Sequence, residues 1–260
     1  MDVSQLNVLF MVSSFNGLSQ KVWSELNSCY AQSELLIGVD ADVVEKMAPD
    51  IILCPFMKAY IPDRIWQNYP CLVIHPGPSN DGGPSSLNWA VLEGQKLWGV
   101  TILQAGNGWD RGKILAGGEF ILPKHSVSSI YRNEVADLAI QLLPEAIDNY
   151  FNQASTINKP LLKYKPAIQQ KDLAFTWVEH TEEIQKKINA GDSSPGTQAI
   201  IKNQIFSLFG AFKGNQVGEP GEILEISDEY ITIATGDGCI SINRLAGEDG
   251  IKLRPTFFNL

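Results

Sequence analysis

Histidine is scarce in this sequence and cysteine is scattered. The three histidines are His75, His125 and His180, and the four cysteines are Cys29, Cys54, Cys71 and Cys239. No two cysteines fall at C-x-x-C spacing, which argues against a zinc or dithiol redox motif, and no metal is expected. Unpaired cysteines fit a reduced, cytoplasmic protein. Long apolar runs are also lacking. "VLFMV" and "IILCPFM" fall far short of the ~20 residues that span a bilayer, so no membrane association is expected. "MDVSQLNVLF" has no basic stretch ahead of its apolar run and does not read as a secretory leader. Positive charge is in deficit: 20 Lys and Arg against 29 Asp and Glu give a net charge of −9. Phosphate neutralisation supplies much of nucleic-acid affinity, so a nucleic-acid partner is not expected. "GNGWDRG" has no strand–Gly–helix context and is not a dinucleotide fingerprint. A G-x-S-x-G elbow is missing as well.

What remains is a globular composition, 44% hydrophobic and 19% charged over 260 residues, enough for one large domain or two smaller ones. "LNVLFMVSSF", "SELLIGVD", "DIILCPF" and "CLVIHPG" read as buried strands. Between them "SQKVWSEL" sets Val22, Trp23 and Leu26 at helical spacing, and "DVVEKMAP" is a short helix stopped by Pro49. "WGVTILQA" and "KILAGGEFIL" continue the strand pattern. A long amphipathic helix follows through "SVSSIYRNEVADLAIQLLPEAIDNYFN". This alternation predicts an α/β fold with a doubly wound, mainly parallel sheet over residues 1–165. Pro160 and Pro166 mark a linker. Beyond it, "TEEIQKKINA" is a helix closed by Gly191. "IFSLFGAF", "GEILEIS", "YITIATGDG" and "CISINRL" are short alternating strands, which predict a small OB-like β-barrel over 166–260.

Ligands of open α/β sheets bind outside the carboxyl ends of the strands. His75 stands at such an end, before the Gly-rich loop "PGPSNDGGPSS", and imidazole is the commonest general acid or base. Asp110 lies in a D-x-G-x-I turn, "WDRGKI"; it reads either as a carboxylate serving His75 or as a turn residue capping its own backbone. Phe56, Met57 and Tyr60 in "CPFMKAYIP" read either as core or as a place for a flat heterocycle beside exposed backbone.

In order and spacing, "VIHPG", "GGPSSLNWAVLEG", "WGVTIL" and "WDRGKI" resemble the folate-dependent formyltransferases. The tail from "TWVEHTEEIQKKINAG" to "CISINRL" resembles their small C-terminal domain. "SSFNGLSQKVWSEL", "PFMKAYIP" and "SSIYRNEV" are similar to the N-terminal half of the hydrogenase-maturation (HypX) branch of that family. The resemblance implies formyl transfer from 10-formyltetrahydrofolate, with His75 and Asp110 catalytic and Phe56, Met57, Lys58 and Tyr60 flanking the pterin. In that branch the acceptor implied is coenzyme A, and a crotonase-like partner domain, beyond this chain, releases carbon monoxide for [NiFe]-hydrogenase. One position departs from the wider family: its catalytic asparagine, two residues before the histidine, is Val73 here. Asn80, Asp81, Ser85, Ser86 and Asn88 are the candidates to replace it at the cofactor. A sugar-amine or methionyl-tRNA N-formyltransferase, a formyltetrahydrofolate hydrolase, and a folate-binding protein without turnover are the alternative readings.

Overall fold

The computed structural model describes residues 2–154, 163–192, 194–258 and 260. Pro160, assigned to the linker from sequence, lies outside the described residues. In chain order the strands are β1 (Asn7–Val12), β2 (Gln32–Ile37), β3 (Ile51–Cys54), β4 (Cys71–His75), β5 (Asp81–Gly82), β6 (Leu97–Gln104), β7 (Ile114–Ile121), β8 (Lys163–Tyr164), β9 (Thr197–Ile201), β10 (Gln204–Lys213), β11 (Ile223–Ile226), β12 (Ile231–Thr235) and β13 (Gly238–Ala246). The α-helices are α1 (Gly17–Leu26), α2 (Ala41–Met47), α3 (Asp63–Trp66), α4 (Ser86–Leu92), α5 (Val127–Ile130), α6 (Ala136–Phe151) and α7 (Thr181–Gly191). By packing, the chain forms two units: 1–86 with 97–121 and 131–166, and 87–96 with 122–130 and 167–260. The sequence suggests a single cut near residue 165. The structure adds two short upstream segments to the second unit.

The first unit holds a six-stranded sheet in the order β2-β1-β3-β4-β6-β7. β1 to β4 run parallel, whereas β4–β6 and β6–β7 are antiparallel. Side chains alternate across the sheet. Leu9 and Met11 pack on one face with Val44 and Ile65. Phe10 points the other way and meets the Trp23 ring of α1 edge-on at 5.1 Å. Both faces are therefore covered, which explains why these strands are apolar throughout. The order reverses between β1 and β3, and there the two strand ends meet: the Ser13 N–H donates to the Phe56 carbonyl at 2.8 Å. The long helix expected after β7 is interrupted. Residues Tyr131–Val135 form a π-helical turn between α5 and α6, a device found mostly at functional sites.

A second, two-stranded ladder was not legible in the sequence. β8 pairs in parallel with β5, in the loop after His75. The Lys163 N–H donates to the Asn80 carbonyl (2.7 Å) and the Lys165 N–H to that of Gly82 (2.9 Å). A Cβ on Gly83 would overlap the Lys165 carbonyl oxygen, and its φ of +119° adds a second reason for glycine.

The second unit is a five-stranded antiparallel sheet, β11-β12-β13-β10-β9. It is the small β domain expected from sequence, and its described pairings run from an edge at β11 to an edge at β9. Ile184 and Ile188 of α7 pack on Ile231, Ile233, Ile240 and Ile242. α7 is capped from outside itself: Asp237, in the β12–β13 turn, accepts from the Thr181 N–H at 2.7 Å and from its hydroxyl at 2.8 Å. These bonds, backbone first, hold the Asp237 carboxyl well below its usual range.

Candidate active site

His75 ends β4 in register with Thr101 of β6. The next residues are tied down: Pro76 O accepts from Trp98 Nε1 (2.9 Å) and Gly77 O from Thr101 Oγ1 (2.8 Å). His75 is 4% exposed, so its ring is fixed by packing. Two carboxylates face it. Asp81 Oδ2 lies 3.4 Å from Nε2, and Asp110 Oδ1 lies 3.6 Å from Nδ1. Asp81 is 6% exposed and accepts from the Ser86 hydroxyl. Asp110 is partly exposed and accepts from the Gly83 N–H at 2.9 Å through Oδ2.

Asp110 reaches the histidine because its turn is tight. Its φ is +52°, a left-handed conformation that Asp tolerates better than most residues. Gly112 follows where the chain passes so close to β6 that a Cβ would overlap the Gln104 carbonyl oxygen. The β6–β7 register also shifts between Ile102 and Leu103. Such bulges re-aim side chains beside active sites.

Beside this cluster lies a small open cleft, lined by Met57, Tyr60, Ile61, Val73, Leu103, Trp109 and Asp110 among others. Tyr60 and Trp109 form one wall, their rings edge-on at 5.9 Å. The Tyr60 hydroxyl donates to Asp63 at 2.9 Å, which holds its ring in place. Val73 and His75 are two apart on β4 and share a face. The position two residues before the histidine therefore opens onto the cleft as an isopropyl group.

The structure brings His75, Asp81, Ser86 and Asp110 together. Ser85 is buried beside Ser86. Met57 and Tyr60 line the cleft, but Phe56 and Lys58 do not. Phe56 packs edge-on against Tyr131 of the π turn at 6.2 Å, and the Lys58 ammonium sits 5.3 Å from the Phe56 ring. Burial pushes the Tyr131 phenol well up. Asn88 lies elsewhere: its amide donates to the Ala190 carbonyl at 2.7 Å within the second unit. The Asn80 carbonyl is occupied by β8.

Ser13, in one of the strand ends that the sequence marks as ligand-facing but not singled out there, holds the loop that carries Met57. Its hydroxyl accepts from the N–H groups of Lys58 (2.8 Å) and Ala59 (3.2 Å) and donates toward Met57 Sδ at 3.4 Å. The backbone near Phe56, expected to be exposed for a heterocycle, is thus partly consumed in fixing its own loop. The available signal was positional: Ser13 follows β1 at the strand-order reversal. No group of three or more His, Cys, Asp or Glu able to hold a metal occurs among the described residues, and no described helix is long and apolar enough to cross a membrane.

Comparison with known proteins adds two family matches. Residues 20–147 match Formyl transferase, and residues 167–259 match Formyl transferase, C-terminal domain. The hydrogenase maturation factor HoxX of Bradyrhizobium diazoefficiens is 33% identical over 251 residues, covering 92% of this chain and 44% of HoxX. The crystal structure of HypX from Aquifex aeolicus in complex with tetrahydrofolic acid superposes with a TM-score of 0.92 at 32% identity, covering 98% of this chain and 47% of that one. A methionyl-tRNA formyltransferase of Syntrophus aciditrophicus is 23% identical over 225 residues, covering 84% of this chain and 72% of its own length. The chain thus spans less than half the length of the HoxX and HypX relatives.

Proposed function

The chain belongs to the formyl transferase family, and from that premise we propose that it moves a formyl group from 10-formyltetrahydrofolate to a small-molecule thiol, with coenzyme A as the acceptor. The observation that carries this reading is the buried His75, bracketed by two carboxylates and set beside a cleft with a Tyr60–Trp109 wall. The cleft offers flat and apolar surface to a pterin, with Met57 as a soft contact. The acceptor attacks the formyl carbon, the carbon–N10 bond breaks, and the acceptor's proton ends on N10. In this reading His75 and Asp110 carry that proton, which their distance of 3.6 Å supports.

Val73 is the reason for choosing a thiol. An oxyanion-hole donor is typically worth about 3 kcal/mol, or 10²–10³ in rate. A cleft without the family's amide suits an acceptor that needs less help, and a thiolate is intrinsically a strong nucleophile. Likeness to HoxX and HypX supports a role in hydrogenase maturation, in which a crotonase-like partner domain consumes the formyl thioester and releases carbon monoxide for the [NiFe] centre. Four unpaired cysteines agree with a reducing, cytoplasmic setting.

The test is release of tetrahydrofolate from 10-formyltetrahydrofolate, with coenzyme A, with an amino-sugar nucleotide, and with neither. Release dependent on coenzyme A is expected. No release under any condition would sink the enzymatic reading. His75→Ala and Asp110→Ala are each expected to lower kcat/KM by about 10²–10⁴-fold, the usual worth of a general acid or base.

A further inference from the structure

His75 has two carboxylate neighbours, and their surroundings differ. Nε2 is sealed from solvent and has no hydrogen-bond partner among the described residues, with Asp81 Oδ2 at 3.4 Å. A sealed polar nitrogen is costly unless it is bonded. As an N–H it attracts Asp81; as a lone pair it repels it. The same choice arises at Nδ1 against Asp110, but there the carboxylate is farther away, partly exposed and bonded to the Gly83 N–H. Charge interactions weaken where solvent reaches them. The sealed side therefore decides where the proton sits.

The surroundings of Asp81 fit such a role. Ser86 is 1% exposed and donates to Asp81 Oδ2, the oxygen nearest His75. Gly77 covers the cluster: a Cβ there would stand 2.6 Å from His75 Nε2, 2.6 Å from Ser86 Oγ and 2.8 Å from Asp81 Oδ2. Asp81 itself is held in the β5–β8 ladder.

We propose that Asp81, buttressed by Ser86 and covered by Gly77, is a positioning residue that fixes the His75 proton on Nε2 and leaves Nδ1 bare beside Asp110 at the cleft. This deepens the formyl-transfer reading and rests on it for its catalytic consequence. It divides labour between the carboxylates: Asp81 sets the tautomer, and Asp110 faces the reaction. Nδ1 begins as an acceptor, takes the proton of the attacking thiol and passes it to N10 as the carbon–N10 bond breaks. Between those events both nitrogens carry protons, and each faces a carboxylate. The arrangement parallels the buried Asp that orients histidine in serine proteases, where Asp→Asn reverses the tautomer.

The test is Asp81→Asn, which keeps the volume while offering Nε2 a donor. Long-range proton–nitrogen NMR at alkaline pH, with the His75 signals assigned by their loss in His75→Gln, reads the tautomer directly. The intact protein is expected to show Nε2–H, and Asp81→Asn to show Nδ1–H. The kcat of Asp81→Asn is expected to fall by about 10²–10⁴-fold, with the donor KM within about threefold and an unchanged circular-dichroism spectrum. Gly77→Ala, which wedges the cluster apart, should give the same split. An Nδ1–H tautomer in the intact protein, an unchanged tautomer in Asp81→Asn, or a kcat within threefold would each overturn the proposal. The NMR measurement needs no turnover, so failure of the formyl-transfer reading would be seen separately.

Discussion

At the scale of single residues, the site depends on places where a side chain is missing. Gly112 lets the loop carrying Asp110 pass against the Gln104 carbonyl. Gly112→Ala must push the two strands apart, and forced overpacking costs about 1–3 kcal/mol. A lower urea midpoint is expected, with a loss of folate turnover larger than the stability change explains. A variant as active as the parent would show that Asp110 does not need this turn. The D-x-G spacing was legible in sequence, but its cause was not. The close approach depends on a carbonyl eight residues earlier on the neighbouring strand. Asp81 was legible as one of five candidates for the missing amide but not as a partner of His75, because its nearness to His75 depends on a turn whose geometry the sequence does not state. Val73 stood out only through the resemblance, whose asparagine would stand two residues before the histidine; alternation along β4 then explains why it shares the histidine's face.

At the scale of elements, the parallel strands were readable because a sheet covered on both faces demands continuous apolar runs between helices. The direction of β6 was not, since a strand buried on both faces reads alike either way, and β7, half exposed at the sheet edge, follows β6 in an antiparallel pair. β9 escaped notice because "TQAII" is half exposed at a sheet edge. The cap of α7 is a tertiary one, joining Thr181 to Asp237 across 56 residues, and no local signature announces it. It has a pH consequence. The folded-state pKa of Asp237 lies below the usual 3.8 because the Thr181 backbone N–H, its hydroxyl and then His180 favour the charged form. The stability it contributes is therefore fully present above pH ~4 and lost as pH falls through the depressed folded value. Asp237→Asn is expected to lower the melting temperature at pH 7 and to flatten its decline below pH 4. A decline as steep as the parent's would remove Asp237 from that account.

At the scale of the whole molecule, the four cysteines report on the fold. Cys29 is exposed, and Cys54, Cys71 and Cys239 are buried. Burial pushes the Cys71 thiol up to about 12, and Cys54 is raised as well. The reactive species is the thiolate. Titration with a thiol reagent is expected to show one fast group in the native protein and four in denaturant. More than one fast thiol would mean that the sheet interior opens readily.

The β5–β8 ladder also has a mechanical meaning. Tension drawn along residues 163–165 is borne by the loop of Asn80–Gly82, on which they hang by backbone hydrogen bonds. That ladder is two residues long, whereas the β6–β7 pairing runs nearly the length of both strands. Under load the short ladder yields first. The first bonds to break are thus those holding the segment that carries Asp81, so a pull on residues 163–165 would be felt beside His75 before the larger sheet gives way.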